Sequence, residues 1–169
     1  MAIVDFLDTL YLYKAQLELA GEDTSFLNDV KVIKVGGRLN VGQVIERLRV
    51  KDEPIILAQE YTKILNSLVK EGEVAVVLVL GIEKFAPILE LEKVLTGINA
   101  LLSFVGDERR IMFYFINTDV LERAIPEVLP LLEDIGTTVV RINVVEKSYT
   151  FSVVKTINRK ILGLKVTYS

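Results

Sequence analysis

The chain has 169 residues, with 20 lysines and arginines against 23 aspartates and glutamates, and neither cysteine nor histidine. Its length is that of one domain, able to bury about two-thirds of the surface that its unfolded form exposes. Without cysteine or histidine there is no disulfide, no thiolate or imidazole metal ligand, and no Ser-His-Asp or zinc-hydrolase chemistry, which leaves carboxylates, lysine, tyrosine and hydroxyls.

From Asp5 to Ala20 the residues Phe6, Leu10, Tyr13, Leu17 and Ala20 stand three and four apart, the spacing of one helix face, and Gly21 is placed to end it. The apolar opening Met1-Ala2-Ile3-Val4 reads either as part of that helix or as the tail of a strand. Val30 to Val35 is β-branched and alternating, a strand stopped by Gly36-Gly37. Val41, Val44, Ile45 and Leu48 fit a short helix. Pro54 suits a first helical turn, and Leu57, Tyr61, Ile64, Leu65 and Leu68 form the inner stripe of a longer helix that ends near Gly72.

The most informative run is Val74 to Leu80, apolar at every position and closed by Gly81. A strand apolar on both faces needs cover on both, so it predicts the centre of a parallel sheet flanked by helices. Pro87 opens a further helix with the stripe Leu91, Val94, Leu95, Ile98, Leu101 and Leu102, and Ile111 to Ile116 is a second fully apolar strand. Asp119 and Glu122 have capping-box spacing ahead of a helical segment, 120–135, that Pro126 and Pro130 must kink or split. The runs 138–145, 149–156 and 162–168 are joined too closely for helical crossovers and predict an antiparallel meander on one edge of the sheet.

Three constellations could carry function. Gly37-Arg38-Leu39-Asn40-Val41-Gly42-Gln43-Val44 follows a strand and has the glycine separation of a phosphate-binding loop. Gln43 stands where such a loop has its lysine, however, and Val44 where it has the magnesium-binding hydroxyl. Gly81-Ile82-Glu83-Lys84 ends the central strand and Asn117 ends the next, at the sheet edge where ligands of open α/β folds bind. Gly36, Gly37, Gly42, Gln43, Glu83, Lys84 and Asn117 are therefore the candidate ligand-contacting residues, with ATP or another nucleotide as the ligand class and no hydrolysis expected. Lys155, Arg159, Lys160 and Lys165, near Tyr149 and Phe151, form a basic set that could touch phosphates, but alternation scatters them over two faces.

The stretches Phe6-Leu7-Asp8-Thr9-Leu10-Tyr11, Leu17 to Gly21, Val32 to Gly37 with Val41-Gly42, and Gly81 to Lys84 resemble a small archaeal family of unknown function. That family is known from Pyrococcus and Thermococcus species and related to the KaiC and RecA branch of P-loop ATPases. The resemblance implies a RecA-like three-layer α/β sandwich over 1–169 as a single truncated domain. In it the chain begins near the end of the second strand, the first strand and its ATP-binding loop are absent, and Gly81 occupies the place of an acidic residue. A gap or exposed edge should then mark the missing strand.

Taken together, these features favour a non-hydrolysing interaction or regulatory protein that self-associates or binds a peptide or protein. A nucleotide-binding protein and a nucleic-acid-binding module are the alternatives, the latter disfavoured by a net charge of −3. An enzyme is not favoured. No apolar run has membrane-spanning length and no basic-then-apolar leader opens the chain, so a cytoplasmic location is expected. The aliphatic, Glu- and Lys-rich composition leans toward a thermophile.

Overall fold

The computed structural model describes residues 1–50 and 54–168, and it divides into two compact units, Met1–Val128 and Leu129–Ser169. The first holds a five-stranded parallel sheet of order β3-β2-β1-β4-β5, built from β1 (Ala2–Phe6), β2 (Lys31–Val35), β3 (Gln43–Leu48), β4 (Ala75–Leu80) and β5 (Arg110–Phe115). Its helices are α1 (Thr9–Leu19), α2 (Pro54–Ser67), α3 (Leu91–Leu102) and α4 (Thr118–Ala124). α5 (Val128–Ile135) leads into the second unit, where β6 (Thr138–Val145), β7 (Ser148–Thr156) and β8 (Lys165–Tyr168) form a separate antiparallel sheet. Among the described residues no ladder joins the two sheets, so the C-terminal strands are a meander of their own and not an extension of the parallel sheet.

The opening residues are strand. β1 runs through Phe6 and takes Asp5 and Phe6 out of the expected helix, because both edges of this strand are paired: Ile3 lies level with Val32 of β2 and with Leu78 of β4. All five residues of β1 are buried. It therefore occupies the middle of a continuous sheet, and among the described residues no gap of the kind expected for a missing strand is found. The edges are β3 and β5.

Residues 43–48 form a strand where the spacing of Val41, Val44, Ile45 and Leu48 predicted a helix. The ladder pairs Val32 with Val44 and Ile33 with Glu46, so Ile45 is an extra residue that breaks the period of two. That bulge is why the sequence shows helical spacing there, and the open backbone edge of β2 supplies the hydrogen bonds that decide the outcome. The segment 36–42 makes the parallel return without a helix.

Register assigns the faces. One face carries Ile3, Asp5, Val32, Lys34, Leu78 and Leu80, and its core gathers Ile3, Leu10, Leu27, Val30, Val32, Val41 and Leu80 beneath α1. The other carries Phe6, Arg110 and Tyr114 against α2 and α3. There Phe6 meets Phe85 edge-on at 5.4 Å and Tyr61 at 6.4 Å, and Tyr61 meets Phe104 at 6.2 Å. α3 begins at Leu91, later than Pro87 suggested, and only Ile98 and Leu101 of its stripe are buried. Two short helices, α4 and α5, replace a continuous one around Pro126, with Asn117 as the residue that caps α4, not Asp119: its Oδ1 accepts the Asp119 N–H at 3.1 Å.

Phe6 joins the central strand to the aromatic cluster. Phe6→Ala should lower stability by about 3–5 kcal/mol, read as a lower denaturation midpoint in guanidinium with an unchanged slope.

Candidate functional site

The chain leaves β1 for β2 on one side, while β4 flanks β1 on the other, so the strand order reverses between β1 and β4. The crevice beyond the carboxyl ends of such strands is where open α/β sheets bind ligands. At the end of β1, Leu7 (φ 50°) and Asp8 (φ 62°) are consecutive non-glycine residues in the left-handed region. Each such residue costs on the order of 1–3 kcal/mol and persists only where its surroundings hold it.

The hold is visible. Leu7 N–H donates to Val35 O at 3.1 Å. The Asp8 carboxylate accepts the N–H of Arg38 at 2.9 Å and of Leu39 at 3.0 Å, and the Lys34 ammonium at 2.5 Å. Lys34, fully buried near the carboxyl end of β2, also donates to Asp5 at 2.6 Å, and Asp5 in turn accepts the Leu10 N–H at 2.9 Å. One lysine thus links β1, β2, the first turn of α1 and the 36–42 loop. Burial pushes the Asp8 carboxyl up, but Lys34 and the two backbone N–H groups outweigh it and hold the group below its ordinary value.

Gly37 has φ +70°, and a Cβ there would lie 2.4 Å from the Asp8 carboxylate. Its missing side chain lets the loop backbone close on the acid. Arg47 fixes the far side of the loop, donating to Gly37 O at 3.2 Å and Asn40 Oδ1 at 2.6 Å.

At the end of β4, Gly81 has φ +79°, and a Cβ would stand 2.0 Å from Thr9 Oγ1, whose hydroxyl donates to Phe6 O at 2.7 Å. The β1 and β4 turns are therefore in contact. Glu83 follows in a short 3-10 turn, only 5% exposed, and its Oε2 has no hydrogen-bond partner among the described residues. Burial pushes its carboxyl above the ordinary value, with its own backbone N–H and Lys84 pulling weakly the other way. Burial likewise raises the Tyr13 hydroxyl, and the charge of Glu83 adds to it.

Of the candidate residues read from the sequence, Gly36, Gly37, Glu83, Lys84 and Asn117 follow the carboxyl ends of β2, β4 and β5 and share one sheet edge. Gly42 and Gln43 lie at the start of β3, level with Lys31, at the opposite end of the strands. The Gln43 N–H is bonded to Val30 O at 2.9 Å. Asp5, Asp8 and Lys34 were not singled out from the sequence, although a charge inside Ala-Ile-Val-Asp-Phe and another inside Val-Ile-Lys-Val is a signal: each needs a buried partner. Of the basic set, Lys155 donates to the carbonyls of Glu133 and Asp134 at the end of α5, at 2.9 and 2.6 Å. Among the described residues no group of three or more acids could hold a metal ion, and no helix is long and apolar enough to cross a membrane.

The chain belongs to a family described as Pyrococcus protein of unknown function, DUF257, whose model matches residues 1–167. It is similar to a solved structure from Pyrococcus horikoshii OT3, described as a structural study, with a TM-score of 0.83 and 31% identity over 98% of this chain and 78% of that one. No protein of curated function matches it.

Two variants read the site directly. Lys34→Met leaves Asp5 as an uncompensated buried charge and should cost about 3–5 kcal/mol. Adding Asp5→Asn, which still accepts the Leu10 N–H, should restore a measurable part of it in a double-mutant cycle. For Glu83 the folded carboxyl titrates above 4.5, so the folded state holds a proton that the unfolded chain has released. Stability should fall as pH rises from about 4.5 through the folded value and stay lower above it. Glu83→Gln should remove that fall and be the more stable protein at pH 7, measured by melting temperature against pH.

Proposed function

We propose that this protein is a non-hydrolysing interaction protein that self-associates through the free edge and open face of β5. The observation that carries the reading is the exposure of Ile111, Phe113 and Phe115, at 50%, 50% and 43%, on one face of an edge strand. The strand is apolar on both faces, and this one lacks cover. Val76 and Leu78 of β4, on the same face, are only half-buried, and Tyr13 of α1 is 40% exposed near the end of β4. Isolated exposed apolar residues are ordinary; a contiguous stripe on an unpaired strand is a docking surface.

A second copy is the occupant that fits. Residues 111–115 read Ile-Met-Phe-Tyr-Phe, and antiparallel pairing about a two-fold axis at Phe113 would set Ile111 opposite the copy's Phe115 with no charge brought against a like charge. An isologous contact of this kind satisfies the free N–H and C=O groups of both edges at once. A RecA- or KaiC-like ancestry belongs to the same proposal and rests on the parallel sheet; Gly81 ends β4 where that plan has an acidic residue, a departure that counts against ATP hydrolysis. Against a nucleotide, the Arg38 and Leu39 N–H groups, which a phosphate would need, are taken by Asp8.

In sedimentation equilibrium at micromolar concentrations the protein should run as a dimer. Phe113→Lys, at an exposed position, should shift it to monomer while leaving the melting temperature of the monomeric unit within a few degrees. A wild-type protein that stays monomeric throughout the micromolar range would sink this reading.

A further inference from the structure

On the opposite face of the parallel sheet an open groove of about 590 Å³ runs between α2 and α3, with Ile55, Gln59, Lys63, Asn66 and Ser103 exposed along it. Its walls are made apolar by local hydrogen bonding. The hydroxyls of Thr62, Thr96 and Ser103, all on the groove, donate back to their own helices, to Ala58 O at 2.8 Å, Glu92 O at 3.1 Å and Ala100 O at 2.6 Å. The methyl groups of Thr62, Thr96, Ala58 and Ala100, with the Ile55 side chain, are what line it.

Lys63 is the one charged residue among those lining the groove, beside the neutral amides of Gln59 and Asn66, and no Asp or Glu lines it. Lys63 forms no ion pair among the described residues. Asn66 has its Oδ1 engaged by Arg110 Nη2 at 2.8 Å, so its amide N–H groups are what it can offer a ligand. Arg110 Nη1 and Tyr61 Oη are buried polar atoms without partners among the described residues. Both residues are more than nine-tenths buried and both pack on Phe104, next to the groove residue Ser103: Arg110 lies 4.8 Å from the ring centroid and Tyr61 6.2 Å. Neither residue lines the groove, so these atoms belong to the layer beneath its floor and the contacts open to a ligand are those of Lys63, Asn66 and Gln59.

We infer that the α2–α3 groove is a binding site for an aliphatic molecule with an anionic head, its chain along the apolar walls and its head accepting hydrogen bonds from Lys63 and Asn66. The Asp107 carboxylate already pairs with Arg110, at 2.7 Å, so Arg110 acts as a positioning residue that orients Asn66. The site faces away from the β5 stripe, and it stands or falls separately from self-association.

Calorimetry on the full chain with decanoate, decyl phosphate and decan-1-ol tests it. At least one of the two anions should bind saturably with one molecule per chain and about tenfold or more tighter than the alcohol, as expected for a charge-assisted hydrogen bond at the head. Which anion binds tighter tells a fatty-acid head from a phosphate head. Lys63→Met should weaken the anion about tenfold and leave the alcohol unchanged, a split that a merely structural role would not produce. Ala100→Phe, which fills the groove, should abolish binding of both, with the melting temperature as the check on folding. Absence of saturable anion binding to the wild type, equal affinity for anion and alcohol, or anion binding that Lys63→Met leaves intact would each overturn the assignment.

Discussion

The ammonium of Lys34, wholly buried and held between Asp5 and Asp8, is the interaction on which the parallel sheet depends. A buried ion pair does not stabilise by default, since desolvation can exceed the attraction. Here it is repaid by position. Asp5 meets the first turn of α1 through the Leu10 N–H, and Asp8 meets the 36–42 loop through two more N–H groups. The same three side chains therefore set the exit of β1, the start of α1 and the path from β2 to β3. They also hold Leu7 and Asp8 in left-handed conformations that neither residue favours alone. A hydrophobic triad of equal volume could fill the space but could not direct the loop.

That constraint bears on the glycine-rich turn. Seen as sequence, Gly37 to Val44 has the spacing of a loop that wraps phosphate. In the fold its second half runs into a strand, and the N–H groups of Arg38 and Leu39 point at a carboxylate supplied by the chain itself. An acid in that position satisfies the donors much as an anionic ligand would, and it is permanent. Gly37 is needed for the same reason such loops need glycine, close approach of backbone to an oxygen, but the oxygen belongs to Asp8.

What was legible in the sequence follows from how local each determinant is. The apolar run ending at Leu80, the β-branched run ending at Val35 and the stripe of Tyr61 and Leu65 each declare themselves within a few residues, and they gave the α/β class with its parallel sheet. The split at Pro126 is local too. The strand at 43–48 was not legible, because the bulge at Ile45 erases alternation and the partner edge lies a loop away. Nor was the pairing of Asp5 with Lys34, 29 residues apart: each charge was visible, but only topology makes them neighbours. Asn117 is a candidate ligand contact by its place after β5, yet its Oδ1 caps α4, a role its position two residues before Asp119 allows and the sequence leaves undistinguished.

The uneven cover of the sheet has a topological cause. Right-handed crossovers from β1 to β2 and from β3 to β4 to β5 proceed in opposite directions along the sheet, so they must lay their helices on opposite faces. One crossover helix, α1, serves one face, and two, α2 and α3, serve the other. A single helix spans about 10 Å, roughly two strands at 4.8 Å spacing, which covers β1 and β2 and leaves β4 and β5 short. The exposed Ile111, Phe113 and Phe115 are therefore not an accident of composition. They lie where the winding of the chain runs out of helices, on a strand whose side chains are apolar in both directions. The same count explains the other face, where two helices crowd side by side over the aromatic cluster, and the seam between them becomes the groove.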